Sequence, residues 1–488
     1  MGFHGFDNRF DRAVDGLRGR YSETGRFGRL FPELRSHKGF TSKDAKQLGL
    51  ALDGGTPAPG SPEALAMDNP RIKAGYTFFG QFIDHDLTFD PTSILEQQID
   101  PEATRNFRTP AFELDSLYGQ GPRDQPYLYD GKNPGCFLLA AEGRDLARNS
   151  QEVALIGDPR NDENIIVSQL HLAFLKFHNR VFTDFTTGTD TGARFQEAQT
   201  LVRWHYQWLV LKEFLPRIVG TQTAERALQN TRFIFKGEPF IPVEFSVAVY
   251  RFGHSMVRAG YGINDTGGAP IFSDTAPTDL RGGRIVPPNL VVDWKRFFGT
   301  AAQPSFRIDS KLSSPLTKLP PSVVGSAPNV ERSLAVRNLQ RGIDARLPSG
   351  DMIARYLALP HHPALRQDEL WGHIADKLPG RTYEAPLWYY ILREAEVRGE
   401  GQRLAGVGAE IVANLFVAVM RADRASFLAQ EPDWRPTLGE NGKFTLADLA
   451  NLAERRGSEG APEKIESEDL TTLPGDEDTP LVIARAAE

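Results

Sequence analysis

The spacing of apolar residues along the chain predicts a mainly helical protein. Apolar positions recur at helical intervals over several turns in residues 163–185 and again in residues 197–219, where the pattern stops near Pro216. Strand-like alternation is scarce by comparison. Shorter patterns predict further helices, which cover residues 241–257, 330–346, 350–358, 385–397 and 408–422.

Segments rich in Pro and Gly divide the chain into three regions. Residues 52–70 have the composition of a connection, so residues 1–70 are predicted to form an N-terminal extension and linker. Residues 71–455 are predicted to form a single large helical domain with little β structure and with long loops such as 264–329. Residues 456–488 are polar and acidic, and we expect a mobile tail there.

Composition excludes several classes of function. The net charge is −7, and no dense basic stripe is present, so we expect no nucleic-acid partner. A single cysteine, Cys136, cannot form a disulfide within the chain or supply a thiolate zinc site. The first residues lack the apolar core of a signal peptide, and the longest aliphatic run, 411–420, is too short to span a membrane. We therefore expect no membrane span, and either a cytoplasmic location or export by a leaderless route.

The segment GQFIDHDLTFDP, residues 80–91, places one histidine between two carboxylates among aromatic residues. In a helix, successive residues turn by about 100°, so Asp84 and Asp86 point to nearly opposite sides and His85 points between them. Gln81 lies one turn before His85 on the same face. One acid can then lie beside whatever His85 faces, while the other faces a different partner such as a hard cation. An exposed capping turn also fits the triplet, but it does not explain the aromatic surroundings.

Three further clusters carry candidate chemistry. Arg160 and Glu163 stand at the start of a long predicted helix, where ordinary helix capping is the simpler interpretation. His254 lies among aromatic residues in YRFGHSM, where a histidine is more often part of the core than a ligand. Four residues alternate along a segment that could be extended, so their oxygens could converge on a cation or simply face solvent: Thr109, Ala111, Glu113 and Asp115.

Taken together and in this order, the motifs GQFIDHD, PRNDEN, FHNR, YRFGH and NLQRGIDARLPSGD resemble those of the animal-type haem peroxidases. The resemblance covers residues 70–360 and, more loosely, the helices between 380 and 425. It implies a helical domain whose long loops surround a buried haem b. It also implies an enzyme that reduces hydrogen peroxide through a ferryl intermediate and oxidises a small donor, with bromide, iodide, thiocyanate or a phenolic compound expected.

The resemblance assigns roles to individual residues. His85 would be the distal acid and base, and Arg160 would stabilise the negative charge that develops on the peroxide. Gln81 would contact distal water or a halide. His254 would be the proximal ligand of the haem iron, and Arg251, three residues earlier, would suit a haem propionate.

The same resemblance implies covalent and metal contacts. Asp84 and Glu163 match the acids that are ester-linked to haem in mammalian members of the family. A structural Ca²⁺ would be bound by five residues, with Ala111 contributing its carbonyl: Asp86, Thr109, Ala111, Glu113 and Asp115. Glu113 is one methylene longer than the aspartate usual at that position.

Two other positions depart from the family pattern. Asn164 replaces a methionine that forms a sulfonium bond to haem in one mammalian member, so we expect poor chloride oxidation. Asp351 is aligned with an asparagine that hydrogen-bonds to the proximal histidine. A carboxylate there would make His254 a stronger donor and lower the ferric/ferrous potential.

Alternative functions remain open at this point. A haem-dependent fatty-acid dioxygenase is disfavoured because Arg251 replaces a radical-forming tyrosine, and Tyr250 is expected to point elsewhere on a helix. A haem-binding or adhesive protein with vestigial catalysis is a second alternative. Without the resemblance, a non-haem metalloprotein with His and carboxylate ligands would fit. Three other histidines are expected to pack within their helices: His171, His178 and His205.

Overall fold

The computed structural model of the chain describes residues 27–57, 60–88, 108–233, 235, 239–273, 278–325, 331–378, 384–458 and 462–468. Helices dominate this part of the chain, as the apolar periodicity predicts. The α-helices, in chain order, are α1 (Ser42–Ala51), α2 (Pro62–Met67), α3 (Ala74–Leu87), α4 (Asp115–Tyr118), α5 (Ile165–Asp184), α6 (Thr191–Trp208), α7 (Leu215–Val219), α8 (Thr221–Gln229), α9 (Val243–Val247), α10 (Ser314–Thr317), α11 (Pro321–Val324), α12 (Leu334–Asp344), α13 (Gly350–Leu357), α14 (Gln367–Trp371), α15 (Leu387–Arg398), α16 (Gly406–Ala422), α17 (Phe427–Gln430) and α18 (Leu446–Glu454).

The β structure of the described residues is small and antiparallel. Strand β1 (Asp68–Lys73) pairs with β4 (Pro304–Phe306), so that Asp68 lies opposite Phe306. Strands β2 (Gly260–Asn264) and β3 (Gly267–Pro270) form a hairpin. Short 3₁₀ segments complete the secondary structure: Pro126–Leu128, Ala141–Gly143, Pro159–Asp162, Val249–His254, Pro288–Leu290, Trp294–Arg296 and Gly372–Ile374.

The centre of the protein is formed by helices that are apolar over most of their surface. Helix α16 is buried from Gly406 to Met420 and packs against α15, α8 and α7. Helix α5 is buried over its first eleven residues and packs between α3, α6 and α18. Since α3 carries the DHD triplet, its packing against α5 sets one wall of the region in which that triplet lies.

Two predicted helices differ from the structure in their interiors. The helix predicted to stop near Pro216 continues to Val219. A π-helical segment, Leu209–Phe214, precedes the proline, and its wider turn accommodates a proline nitrogen that has no N–H to donate to a hydrogen bond. It ends at Gly220, whose φ of +85° favours glycine. The helix predicted over 241–257 is divided into α9 and the 3₁₀ segment Val249–His254.

The predicted N-terminal extension and the predicted tail both contribute to the core where they are described. Leu30 and Phe31 are buried, and both backbone N–H groups donate to the buried Glu244 carboxylate. In the tail, Ile465 is buried and is fixed by two hydrogen bonds to the Asn451 side chain. Residues 462–468 of the predicted tail thus pack against the core, while residues 1–26 and 469–488 lie outside the described residues; the mobility of the tail stays a prediction. Among the helices of the described ranges, none combines the length and the hydropathy that a membrane crossing needs.

Candidate active site

A cavity of about 1320 Å³ lies between α3, the segment Val249–His254 and α12. Both His85 and His254 border it, although they are far apart in the sequence. Its walls combine apolar side chains with guanidinium groups. The aromatic and aliphatic lining includes Phe78, Phe214, Phe252, Met256, Ile271, Phe272 and Leu334, and the arginines that border the cavity are Arg160, Arg251, Arg281, Arg337 and Arg341.

Helix α3 presents the DHD triplet as its geometry predicts. Asp84, His85 and Gln81 border the cavity, whereas Asp86 does not and lies buried on another side of the helix, next to Asp115. His85 is 5% exposed, and burial, reinforced by the Arg160 charge, lowers its pKa to about 4. The imidazole is therefore neutral near pH 7 and can accept a proton.

Arg160 is fixed beside His85 by several acceptors. Its Nε donates to Asp158 Oδ1 at 3.1 Å, and one terminal nitrogen donates to Asp158 Oδ2 at 2.8 Å and to the His85 carbonyl at 3.0 Å. The same nitrogen donates to the Thr88 carbonyl. These contacts tie the guanidinium to the last turn of α3, so Arg160 and His85 keep a constant relation to each other.

Asp158 and its second partner, Arg108, were not identified from the sequence. Asp158 is fully buried, and Arg108 donates to its Oδ2 at 2.6 Å. Burial alone would raise the pKa of Asp158, but the Arg160 and Arg108 guanidinium groups hold it well below its usual range. The carboxylate is thus a buried anion between two cations, and it orients the one that borders the cavity.

His254 receives its side-chain partner from α12. Asn338 Nδ2 lies 2.8 Å from His254 Nδ1, and Asn338 is 1% exposed. The prediction that Asp351 takes this place is wrong, because Asp351 Oδ2 accepts from the Ala385 N–H at 2.6 Å near the start of α13. Asn338 belongs to the same motif, NLQRGIDARLPSGD. An amide on the apolar face of a predicted helix is the sequence feature that could have pointed to it as a partner of His254.

The remaining residues assigned to the cofactor also border the cavity. Glu163 and Arg251 lie on its wall, as do Arg337 and Arg341. Desolvation by the surrounding protein raises the pKa of Glu163 to about 7. On the His254 side, burial followed by the charges of Arg251 and Arg341 lowers the pKa of His254 to about 3.

Tyr250 contradicts the expectation that it points away. In the 3₁₀ segment Val249–His254 its ring borders the cavity, and its buried hydroxyl has no hydrogen-bond partner among the described residues. A 3₁₀ helix has three residues per turn, so the angular relation between Tyr250 and His254 differs from that in an α-helix.

The residues predicted to bind calcium form a buried acidic cluster behind α3. Burial and the nearby Asp115 raise the pKa of Asp86 to about 7. The Leu114 N–H and the Tyr206 hydroxyl oppose this shift, although neither makes a hydrogen bond to Asp86. Burial and Asp115 likewise raise the pKa of Glu113 to about 8. Asp86 is 1% exposed, and neither of its oxygens has a hydrogen-bond partner among the described residues.

The backbone of this cluster is not the extended loop that the alternation predicts. Leu114 adopts a left-handed conformation with φ of +59°, which is uncommon for a residue with a side chain, and α4 begins immediately after it. The turn keeps Glu113 and Asp115 near each other and near Asp86, but within the described ranges no three His, Cys, Asp or Glu side chains have a metal-binding arrangement. Thr109 and Ala111 are also buried in this loop, and the Thr109 hydroxyl has no hydrogen-bond partner in the described part of the chain.

The cavity fits one kind of ligand particularly well. Its apolar walls suit a large ring system, its guanidinium groups suit peripheral carboxylates, and a buried neutral imidazole suits an iron ion. His85 and Arg160 add a base and a fixed positive charge at the same cavity. These features are the ones expected of a helical protein that binds haem, with polar groups that can act on a second, small ligand.

The chain belongs to the animal haem peroxidase family. Residues 120–379 match the family model, more than half of the chain. Chorion peroxidase of Drosophila melanogaster is 30% identical over 284 residues, which cover 55% of this chain and 34% of that protein. Peroxidase mlt-7 of Caenorhabditis elegans is 25% identical over 281 residues, which cover 54% of this chain and 37% of that protein. The chain thus spans well under two thirds of these relatives.

Solved structures with the same fold extend over nearly the whole chain. Peroxidase A from Dictyostelium discoideum superimposes with a TM-score of 0.60 at 15% identity and covers 92% of each chain. The fatty acid alpha-dioxygenase of Arabidopsis thaliana gives a TM-score of 0.59 at 15% identity and covers 97% of this chain and 86% of its own. At these identities the likeness concerns the fold, which two different activities share.

Proposed function

We propose that this protein is a haem peroxidase that reduces hydrogen peroxide and oxidises a small donor such as bromide, iodide, thiocyanate or a phenol. The observation that carries the proposal is that His85, Arg160 and His254 border one cavity. When bound, haem would supply the redox chemistry: iron and porphyrin together would give two electrons to the peroxide, and the donor would return them. His254 would hold the iron, while Arg251 and Arg341 would pair with the haem carboxylates.

The chain's own groups account for the proton and charge movements. The neutral His85 ring accepts the proton of the peroxide oxygen that approaches the iron and returns it to the oxygen that leaves as water. Arg160 carries a charge that does not titrate, and it stabilises the negative charge that develops as the O–O bond breaks. Gln81, on the His85 face of α3, would hydrogen-bond to water or to a halide in the cavity.

Rapid mixing of the haem-replete protein with hydrogen peroxide, followed by addition of each donor, tests this proposal. We expect a fast second-order reaction with peroxide and turnover with at least one donor class. A protein that binds haem stoichiometrically but reacts with peroxide no faster than free haem would overturn the assignment. In that case a haem-binding or adhesive role would remain.

Chloride is expected to be a poor donor. Asn164 caps α5, its side-chain oxygen accepting from the Ile166 N–H at 2.8 Å, and an amide cannot form the sulfonium bond that a methionine would provide. We therefore expect chloride turnover far below that of bromide under the same conditions. Steady-state halide oxidation measures the ratio, and chloride rates equal to bromide rates would contradict this prediction.

Ester bonds to haem are proposed at Asp84 and Glu163, since both carboxyl groups border the cavity. Mass spectrometry of peptides after peroxide treatment would detect haem that remains attached to the chain. Asp84→Asn and Glu163→Gln should each remove one attachment. Complete release of haem from the treated wild-type protein by acidified organic solvent would show that no such bond forms.

The ferric/ferrous potential is expected to depend on Asn338 and not on Asp351. A histidine that binds iron through Nε2 carries its proton on Nδ1. The Asn338 side chain can accept a hydrogen bond from that N–H once its amide oxygen faces the ring. Asn338→Asp would place a carboxylate there and lower the potential, whereas Asp351→Asn should leave it unchanged. Spectroelectrochemical titration measures both variants, and a shift confined to Asp351→Asn would restore the original alignment.

A structural Ca²⁺ is proposed for the cluster of Asp86, Thr109, the Ala111 carbonyl, Glu113 and Asp115. Three neighbouring carboxyl groups and two unpartnered oxygens of Asp86 support it, because a cation would relieve their mutual repulsion. A ligand at 100 times its Kd stabilises the folded state by about 2.7 kcal/mol. Calcium should therefore raise Tm in the wild-type protein and not in Asp86→Asn.

Calcium removal should also slow the reaction with peroxide, because Asp86 is adjacent to His85 in α3. The measurement is the peroxide rate before and after chelation, with metal content confirmed by elemental analysis. Unchanged Tm and unchanged rate after proven removal would exclude a structural role for calcium. Calcium binding that raises Tm but leaves the rate unchanged would confine its role to stability.

The second candidate function is a haem-dependent fatty-acid dioxygenase. The observation that favours it is the Tyr250 ring at the cavity wall with its buried, unpartnered hydroxyl, on a fold shared with solved alpha-dioxygenases. Oxygen uptake with a fatty acid, abolished in Tyr250→Phe, would support this function. Peroxide-dependent donor oxidation without fatty-acid-dependent oxygen uptake would exclude it.

A further inference from the structure

A chain of three buried polar side chains leads away from the cavity through His85. His85 Nδ1 lies 2.7 Å from Asn161 Oδ1, and Asn161 Nδ2 lies 3.0 Å from His171 Nδ1. The three residues come from α3, the 3₁₀ segment Pro159–Asp162 and α5. Asn161 and His171 are fully buried, and His171 packs edge-on against the Phe82 ring. The sequence by itself predicts no more than a packing role for His171 within its helix.

The orientation of the Asn161 amide determines which nitrogen of each histidine ring carries a proton. An amide oxygen accepts only, so His85 donates from Nδ1, and the neutral ring then keeps its lone pair on Nε2. The amide nitrogen donates only, so His171 accepts through Nδ1 and carries its own proton on Nε2. If the amide were turned by 180°, both rings would change tautomer and His85 would present an N–H to the cavity.

We propose that Asn161, held in place by His171, is a positioning residue that fixes the His85 tautomer so that the Nε2 lone pair faces the cavity. This inference rests on the proposed function, because a base is needed only if a proton is removed from a bound ligand. Asn161 is well placed for the role, since it follows Arg160 directly and its backbone N–H donates to the Asp158 carbonyl at 3.1 Å. The group that orients the base and the group that orients the charge thus share one short segment.

Cyanide and nitric oxide binding to the ferric haem protein separate a positioning role from a purely structural one. Hydrogen cyanide must lose its proton to bind iron, whereas nitric oxide carries none. In Asn161→Leu, which keeps the size of the side chain but has no acceptor, we expect cyanide to bind on the order of 10–100-fold more slowly. Nitric oxide binding should be unchanged, and Asn161→Asp, which keeps an acceptor oxygen, should lose less than Asn161→Leu.

His178 supplies a matched control. It is also a fully buried histidine on α5, but its ring nitrogens contact the Tyr118 hydroxyl and the Gly135 carbonyl at 3.0 Å each. His178→Gln should therefore leave the ratio of cyanide to nitric oxide rates unchanged, while His171→Gln should lower it. An equal effect of both substitutions would show that the loss comes from general destabilisation, and this would overturn the proposal.

Nitrogen-15 NMR of histidine-labelled protein, in the diamagnetic ferrous carbon monoxide form, distinguishes the two tautomers of a histidine directly. The chain has ten histidines in all. We expect His85 in the Nδ1–H form, and the Nε2–H form would overturn the proposal. If the wild-type protein reacts rapidly with peroxide while Asn161→Leu binds cyanide at the wild-type rate, the positioning role fails and the proposed function stands. If the wild-type protein does not react with peroxide, the proposed function fails irrespective of the tautomer.

Discussion

We expect haem-replete His85→Leu to react with hydrogen peroxide about 10²–10⁴-fold more slowly than the wild-type protein, the usual contribution of a positioned acid–base group. Leucine fills a similar volume next to the aromatic side chains of α3, so the cavity keeps its shape, but it cannot take up a proton. Stopped-flow absorption measures the second-order rate constant. The loss should lie in this step, and not in the later reaction with the donor.

Carbon monoxide provides the control for His85→Leu. Its binding to the ferrous protein involves no proton, so its association rate should change little if access to the cavity is preserved. A variant that loses peroxide reactivity and carbon monoxide binding together would indicate a closed or disordered cavity. A variant with the wild-type peroxide rate would exclude His85 as the base.

Asp158→Ala should have the largest effect on stability, about 3–5 kcal/mol, because removing one member of a buried ion pair leaves charge uncompensated. Asp158 is fully buried, and its two guanidinium partners, Arg108 and Arg160, would face each other without the anion between them. Denaturant unfolding at neutral pH measures the change. The variant should also react more slowly with peroxide, because Arg160 loses two of its acceptors.

Asp265→Ala is the matched control for Asp158→Ala. Asp265 also pairs with two cations, Lys295 and Arg296, but its side chain is 68% exposed. Exposed ion pairs add little to stability, so its loss should change the free energy of unfolding far less than that of Asp158. Similar losses in both variants would show that burial does not determine the strength of the Asp158 cluster.

The pH dependence of the Asp158 contribution has a definite sign. The folded-state pKa of Asp158 is depressed, so its stabilisation is fully present above the unfolded pKa of about 3.9 and is lost as the pH falls toward the folded value. The difference in stability between wild type and Asp158→Ala should therefore be constant near neutrality and shrink below about pH 4. A difference that grows on acidification would contradict the assignment.

The spacing of apolar residues predicted the helices whose position depends mainly on that spacing. Helices α5, α12, α13, α15 and α16 lie close to their predicted ranges because each carries a sustained apolar face. The division of 241–257 into two short helices was not predicted, since it depends on tertiary packing, with α9 against α12 and Val249–His254 against α15 and α16. Leu114 is similar, because a left-handed leucine is set by the surrounding structure and not by its own preference.

In the candidate site, too, the features set by local geometry could be predicted, and those set by tertiary contacts could not. Helical geometry alone placed Asp84 and Asp86 on different sides of α3, because the 100° turn between residues needs no tertiary knowledge. Asn338 and Asn161 were missed because an amide has no charge and no motif of its own, and its role arises only from the ring it meets. Asn338 and Asp351 lie thirteen residues apart in the same motif, and only the fold determines which of the two side chains reaches His254.

The most direct test of the central claim is the iron–histidine vibration of the ferrous protein, measured by resonance Raman spectroscopy in the wild type and in two variants. The account predicts that the wild-type protein and His85→Leu both show this band, and that His254→Gly loses it until imidazole is added. A band that persists in His254→Gly, or one that disappears in His85→Leu, would contradict the assignment of the two imidazoles to one haem cavity.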